Sequence, residues 1–293
     1  MDVVRYRLDD LRRFAAALGV GVGLAPPRAS AFASQLLWYN TTGAPSCGIE
    51  TLPLWLERIA KGEVDPRAEG KVTSEHLGTA VFDGSNGLPS LILARAGELA
   101  IEKARDAAVG LVRVANLPNA AGPAAGTAAE MAVGPYLSAI LGPGPAWTLA
   151  LPSGDGLPAV FDSTLEFAAV TPSSKTNAAR STKSTPLPLW APWATAMVPE
   201  GGWLVAALSI KTIESLSGLH ERVSSTMRLT DEAPGRLLPT TWEARRREAR
   251  ERGVAVTTVS LTRFHDWANR LGVPLPSPAA QVPPIDRAPH GVV

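Results

Sequence analysis

Apolar residues recur at helical spacing through Leu8, Leu11, Phe14, Ala15 and Leu18, which predicts a helix over Leu8–Ala17 that Gly19 stops. A second helix is predicted from Pro26 through Tyr39, since prolines suit a first turn, where a missing N–H costs nothing. Leu52, Trp55, Leu56 and Ile59 share one face of a third, over Leu52–Ala60. Near Val72 the pattern changes. Thr79–Asp83 reads as a short strand ending in a Gly-Ser-Asn-Gly turn, and Leu91–Ala107 as a helix rich in Ala, Leu, Glu and Lys. Val109–Val114, Leu137–Leu141, Trp147–Leu151 and Ala159–Phe161 read as strands, and Ala128–Val133 as a short helix. Trp203–Ser217 is predicted to be a buried helix capped by Gly218. Trp242–Arg252 reads as a charged helix, with Glu243–Arg247 and Glu248–Arg252 spaced for ion pairs. A strand over Val254–Val259 and a last helix, capped by Ser260 and running to Leu271, complete the pattern. Alternating strands and helices point to an α/β fold, a sheet with helices packed on it.

Composition narrows the picture. The 293 residues, 45% hydrophobic and 19% charged, suit an ordinary globular chain of one or two lobes. A net charge of +1 gives no support for nucleic acid or membrane partners, and no apolar run is long enough to span a bilayer. The charged N-terminus lacks a signal-peptide core, and the single cysteine excludes an internal disulfide and suits a reducing cytoplasm. His76, His220, His265 and His290 are scattered, so no metal site is expected. Thr171–Gly202, rich in Ser, Thr and Pro, reads as a surface loop. Its Lys175, Arg180 and Lys183 either clamp an acidic substrate or are plain loop charges, and Trp190 and Trp193 either cover a pocket or pin the loop.

The stretch Asn40-Thr-Thr-Gly-Ala-Pro-Ser-Cys-Gly-Ile49 resembles the Asp-x-x-Gly-x-x-Ser-His-Gly motif of the malate/L-lactate dehydrogenase family. These are non-Rossmann, nicotinamide-dependent reductases of 2-keto acids and cyclic imines. Gly43, Ser46 and Gly48 are kept, while Asn40 replaces the motif's Asp and Cys47 its catalytic His. Further segments are similar: Ile49–Pro66, Asp83–Leu88, Ala96–Val114, Phe161-Asp-Ser-Thr, Gly201–Gly218 and Glu243–Gly272. The family's second histidine, in Arg-Asn-x-x-His, becomes Asn119, with Asn116 retained. Its Gly-Thr-Asn-Pro cofactor loop is collapsed to Gly-Pro-Gly-Pro at residues 142–145.

The resemblance implies a helical lobe built by both chain ends, a two-layer α/β lobe between them, and a homodimer. Expected boundaries are 1–71, 72–202 and 203–293. Trp38, Trp55, Trp203 and Trp267 supply more bulky apolar area than a small two-lobed monomer needs, which also points to a dimer. Implied site residues are Cys47 and Ser46 for catalysis, Asp162 and Ser163 for NAD or NADP, and Asn116 and Asn119 for a small-molecule substrate. A His of near-neutral pKa suits protonation of a developing anion, whereas Cys with a free pKa near 8.5 suits it poorly. Three readings of Cys47 stand: a filler of space left by the His, a proton donor, or a nucleophile. Asp162 is equally a strand-terminal turn residue, and for Asn116 and Asn119 plain loop structure is the favoured reading over a bond to a substrate carboxylate. The implied activity is reduction of a 2-keto acid or cyclic imine; the alternative is a repurposed member without hydride transfer.

Overall fold

The computed structural model describes residues 3–118, 124–143, 146–154, 156–164, 202–228 and 236–279. An eight-stranded sheet carries the larger lobe, in the order β2-β3-β4-β8-β5-β6-β7-β9. Its strands are β2 (Lys71–Glu75), β3 (Thr79–Asp83), β4 (Val109–Ala115), β5 (Tyr136–Leu141), β6 (Trp147–Leu151), β7 (Ala159–Asp162), β8 (Trp203–Ser209) and β9 (Arg236–Leu237). Among the described strands only β3 and β4 pair in parallel, joined by α4 (Pro89–Ala107) as the crossover. Ala96, Ala100 and Ala104 give α4 a small, fully buried face against the sheet. The short α5 (Ala125–Met131) packs into the same core.

The second lobe is helical and is closed by the two ends of the described chain. β1 (Val3–Tyr6) pairs antiparallel with β10 (Val254–Thr257), Val4 opposite Val256. Around this ribbon pack α1 (Leu8–Gly21), α2 (Pro26–Thr42), α3 (Leu52–Ala60) and α8 (Thr258–Leu271), with Leu11, Leu18, Phe32, Leu52, Leu56 and Phe264 fully buried. Among the described residues three helices reach both cores, and α4 does so by giving Leu91 to the helical core and Ile92 to the sheet core. α2 gives Phe32 and Leu36 to the helical core and Tyr39 to the sheet core; α7 (Pro239–Arg252) gives Ala249 to the first and Trp242 to the second. Among the described residues, no helix is long and apolar enough to cross a membrane.

The structure corrects several sequence expectations. Trp203–Ser209 is a strand, β8, rather than the start of a helix, and it lies between β4 and β5. Its residues alternate buried and half-buried, and both neighbours supply backbone partners that the apolar run alone does not reveal. The sheet therefore takes in residues 203–209 and 236–237, beyond the expected 72–202 span. Gly218 lies inside a helix, α6 (Leu216–Arg228), instead of ending one. α1 runs through Gly19, which packs tightly on Leu24 and Ala29. Thr257, not Ser260, caps α8: its hydroxyl accepts from the Ser260 N–H at 3.3 Å. Glu248 and Arg252 approach to 3.9 Å, but among the described residues Glu243 and Arg247 form no ion pair. Asn119, residues 165–201 and the segment beyond 279 lie outside the described residues, as do the expectations for Lys175, Arg180, Lys183, Trp190 and Trp193.

Candidate functional site

The register gathers most of the sequence-derived candidates at one end of the sheet. Val114 lies opposite Trp203, Leu141 opposite both Leu204 and Trp147, and Thr148 opposite Asp162. Asn116, Gly142, Trp147, Asp162 and Ser163 therefore share that end, but not one constellation. β4 and β7 are four strand spacings apart, about 19 Å, so Asn116 and Asp162 cannot grip one small group.

Cys47 is held by the end of α2. Gly43 takes φ 90° as the left-handed cap, and the Ala44 N–H bonds the Tyr39 carbonyl at 2.9 Å. A Cβ on Gly43 would also strike the Arg245 guanidinium, which reaches from α7 to donate to the Thr42 carbonyl. Pro45–Cys47 then forms a single 3-10 turn. The Asn40 side-chain oxygen accepts from the Ile49 N–H at 2.8 Å and pins the loop from below. Gly48 is required there, because a Cβ would lie 2.1 Å from that oxygen. Asn40 thus keeps the acceptor that an Asp would supply, without its charge. Its amide nitrogen is buried without a partner among the described residues.

Ser46 is exposed, with its Oγ 4.0 Å from the half-buried Cys47 Sγ. Cys47 packs on the sheet core. Burial pushes the thiol pKa up, the Ser46 hydrogen bond opposes this, and the negative field of Asp162 adds to the rise. Near neutral pH Cys47 is therefore a thiol. It can donate a proton, but it is a weak nucleophile. Asp162 opposes thiolate formation, so it does not serve as an activating charge.

Asp162 is buried at the end of β7. Its Oδ2 accepts from the Thr148 hydroxyl, and its Oδ1 accepts from the Thr164 N–H at 2.7 Å and the Thr164 hydroxyl at 2.6 Å. Ser163 staples β7 to β6, accepting from the Trp147 N–H at 2.9 Å and donating to the Trp147 carbonyl at 3.2 Å. Asn116, exposed and in the left-handed region at φ 54°, donates to Asp83 Oδ1 at 3.1 Å. That bond clamps the turn after β3 to the end of β4.

Sequence reasoning passed over Tyr39 and Thr148. Tyr39 is buried, and its hydroxyl accepts from the Gly126 N–H at 3.0 Å. Burial holds its pKa well above the usual phenol value; the Gly126 bond opposes this, and Asp162, Cys47 and Glu130 add to the rise. Tyr39 and Cys47 thus both feel the Asp162 charge. The available signal was a tyrosine on the inner face of a helix, directly before Asn40.

A family model described as malate/L-lactate dehydrogenase matches residues 6–141. That match makes residues 6–141, a little under half of the chain, similar to the malate/L-lactate dehydrogenase family. The L-sulfolactate dehydrogenase of Methanocaldococcus jannaschii is 36% identical over 74 residues, 25% of this chain and 22% of that protein. The malate dehydrogenase of Pyrococcus abyssi is 29% identical over 113 residues, 39% of this chain and 31% of that one. The matched stretches thus span less than a third of these relatives' lengths. The fold reaches further: the solved malate dehydrogenase of Entamoeba histolytica superposes with a TM-score of 0.76 at 16% identity, covering 94% of this chain and 100% of that one. In this loop Asn40, Gly43 and Gly48 form the frame that presents Cys47. Among the described residues no three His, Cys, Asp or Glu side chains are grouped to hold a metal ion.

Proposed function

We propose that the chain is a divergent oxidoreductase, a homodimer that reduces a small 2-keto acid or cyclic imine with NADH or NADPH. The observation that supports this is the match over residues 6–141, which contains the loop holding Cys47. The residues fit a nicotinamide dinucleotide at one end and poorly at the other. Asp162 and Ser163, fixed by Thr148, Thr164 and Trp147, would hold its amide or ribose. At the phosphates, the Gly142 N–H already donates to the Ala146 carbonyl at 2.8 Å, and Pro143 and Pro145 have no N–H to offer. When bound, the nicotinamide supplies the hydride. On the protein side, Cys47 stands where the proton must be delivered, with its thiol kept neutral by burial. Asn116, engaged with Asp83, would have to turn away from that bond to meet a substrate carboxylate.

The raised Cys47 pKa, the engaged Gly142 N–H and the prolines at 143 and 145 favour a second reading, a repurposed member that binds a small metabolite without hydride transfer. Calorimetric titration with NADH, NADPH and their oxidised forms separates the two. Weak binding is expected from the phosphate side. A micromolar or tighter affinity, with cofactor oxidation on adding 2-keto acids or cyclic imines, rejects the second reading. No binding of any of the four rejects the first.

A further inference from the structure

A groove of about 330 Å³ lies along α2 and is not lined by Cys47. Its floor is apolar and aromatic: Leu37 and Trp38 of α2, Leu157 from the approach to β7, and Trp242 of α7. The two indoles meet edge to face, with centroids 5.4 Å apart. Arg246 and Arg250, one helical turn apart on α7, stand on its wall. Neither has a hydrogen-bond or ion-pair partner among the described residues, although Arg246 is half-buried. Arg12 on α1 also reaches the groove, but it is engaged with Asp9 at 2.8 Å. A second groove of about 630 Å³ adjoins and shares Leu157 and Arg246, which leaves room for a ligand longer than the floor.

Two unpaired guanidinium groups over an indole floor are an unmet demand for a planar anion with an apolar body. We propose that this groove binds a small aromatic carboxylate, with the ring on Trp38 and Trp242 and the carboxylate on Arg246 and Arg250. Glu130 also lines the groove, and its pKa is raised, first by burial and then by Glu98. The groove does not include Cys47, Asp162 or Ser163, so the proposal stands apart from the oxidoreductase reading. Tyr39 packs edge-on against Trp38 at 4.8 Å, so α2 carries the groove and the candidate site on adjacent residues.

The test is calorimetric titration of the full chain with 2-naphthoate and with its neutral analogue, 2-naphthamide. Saturable binding of the acid is expected, about tenfold or more tighter than the amide. Arg246→Gln should weaken naphthoate about tenfold and leave the amide unchanged. Arg250→Gln, at an exposed position, should do the same in direction and serves if the first variant misfolds. Arg105→Gln, on α4, is the control and should bind as the parent. Equal affinity for acid and amide, no saturable binding up to millimolar naphthoate, or parent-like binding by both α7 variants would overturn the proposal. So would a loss of NADH affinity in Arg246→Gln, since the groove would then belong to the dinucleotide.

Discussion

At residue scale, Cys47 answers a chemical question through its surroundings. Its pKa is raised, by burial first and by Asp162 in addition, so the thiolate fraction at any pH lies below that of free cysteine. Alkylation by iodoacetamide should therefore be slower than for a model thiol, with a rate profile whose inflection lies above the free value. An inflection at or below the free value would contradict this environment. Cys47→Ala removes a half-buried sulfur and should cost about 1 kcal/mol or less in urea unfolding. If that variant lost about a hundredfold or more in activity while still folded, space filling would be rejected and proton donation supported. Asn116 and Asp83 form the other residue-scale pair. The Ser85 N–H first, and then the Asn116 amide, lower the Asp83 pKa. With a folded pKa below the unfolded one, Asp83 adds stability above the unfolded pKa, and this is lost as pH falls through the folded pKa. Asn116→Ala should move the Asp83 titration upward in an NMR pH series and shrink the acid-side change in stability. An unmoved titration would show that Asn116 does not hold the carboxylate.

At element scale, the connection between the lobes rests on α2 and α7. Arg245 leaves α7 to bond the last turn of α2, and burial lowers its pKa. Arg245→Met keeps the stem and removes the donor, so it should cost about 1.5–3 kcal/mol, the range for a hydrogen bond to a charged group. The loss should show as a lower thermal midpoint; an unchanged midpoint would mean that the carbonyl is solvated equally well without it. The elements most legible in sequence were those with their own punctuation. α3 has one clean apolar face, and α2 begins at its prolines and ends at Gly43. β8 was misread because Trp203–Ser209 is an unbroken apolar run whose partners, β4 and β5, are 62 or more residues earlier. β2 went unread because all five of its residues are exposed, so no alternation marks it. The candidate site was legible only in part. The motif named Ser46 and Cys47 and a separate similar segment named Asp162, whereas Tyr39 and Thr148 join them through register and helix packing that no local pattern carries.

At the scale of the whole molecule, the proposed dimer must use surface that the chain leaves over. Three of the four tryptophans that suggested it are spent internally: Trp55, Trp203 and Trp267 are at most 9% exposed. The larger exposed apolar side chains include Leu77 at 75% and Ile213 at 64%. Both lie toward the sheet end opposite Asp162. Leu77 sits in the turn before Thr79, which pairs with Leu111 near the start of β4, and Ile213 follows the end of β8. Val109, 39% exposed and opposite Leu208, lies at the same end. A dimer joined there would cover apolar surface and leave the Cys47 end open to a substrate. Light scattering at micromolar concentration should therefore give about twice the chain mass of 30.7 kDa. Ile213→Asp, a charge set in a desolvated contact, should shift the mass toward the monomer and leave the circular dichroism unchanged. A parent mass near 30.7 kDa would reject the dimer, and a variant that stays fully dimeric would place the interface elsewhere on the molecule.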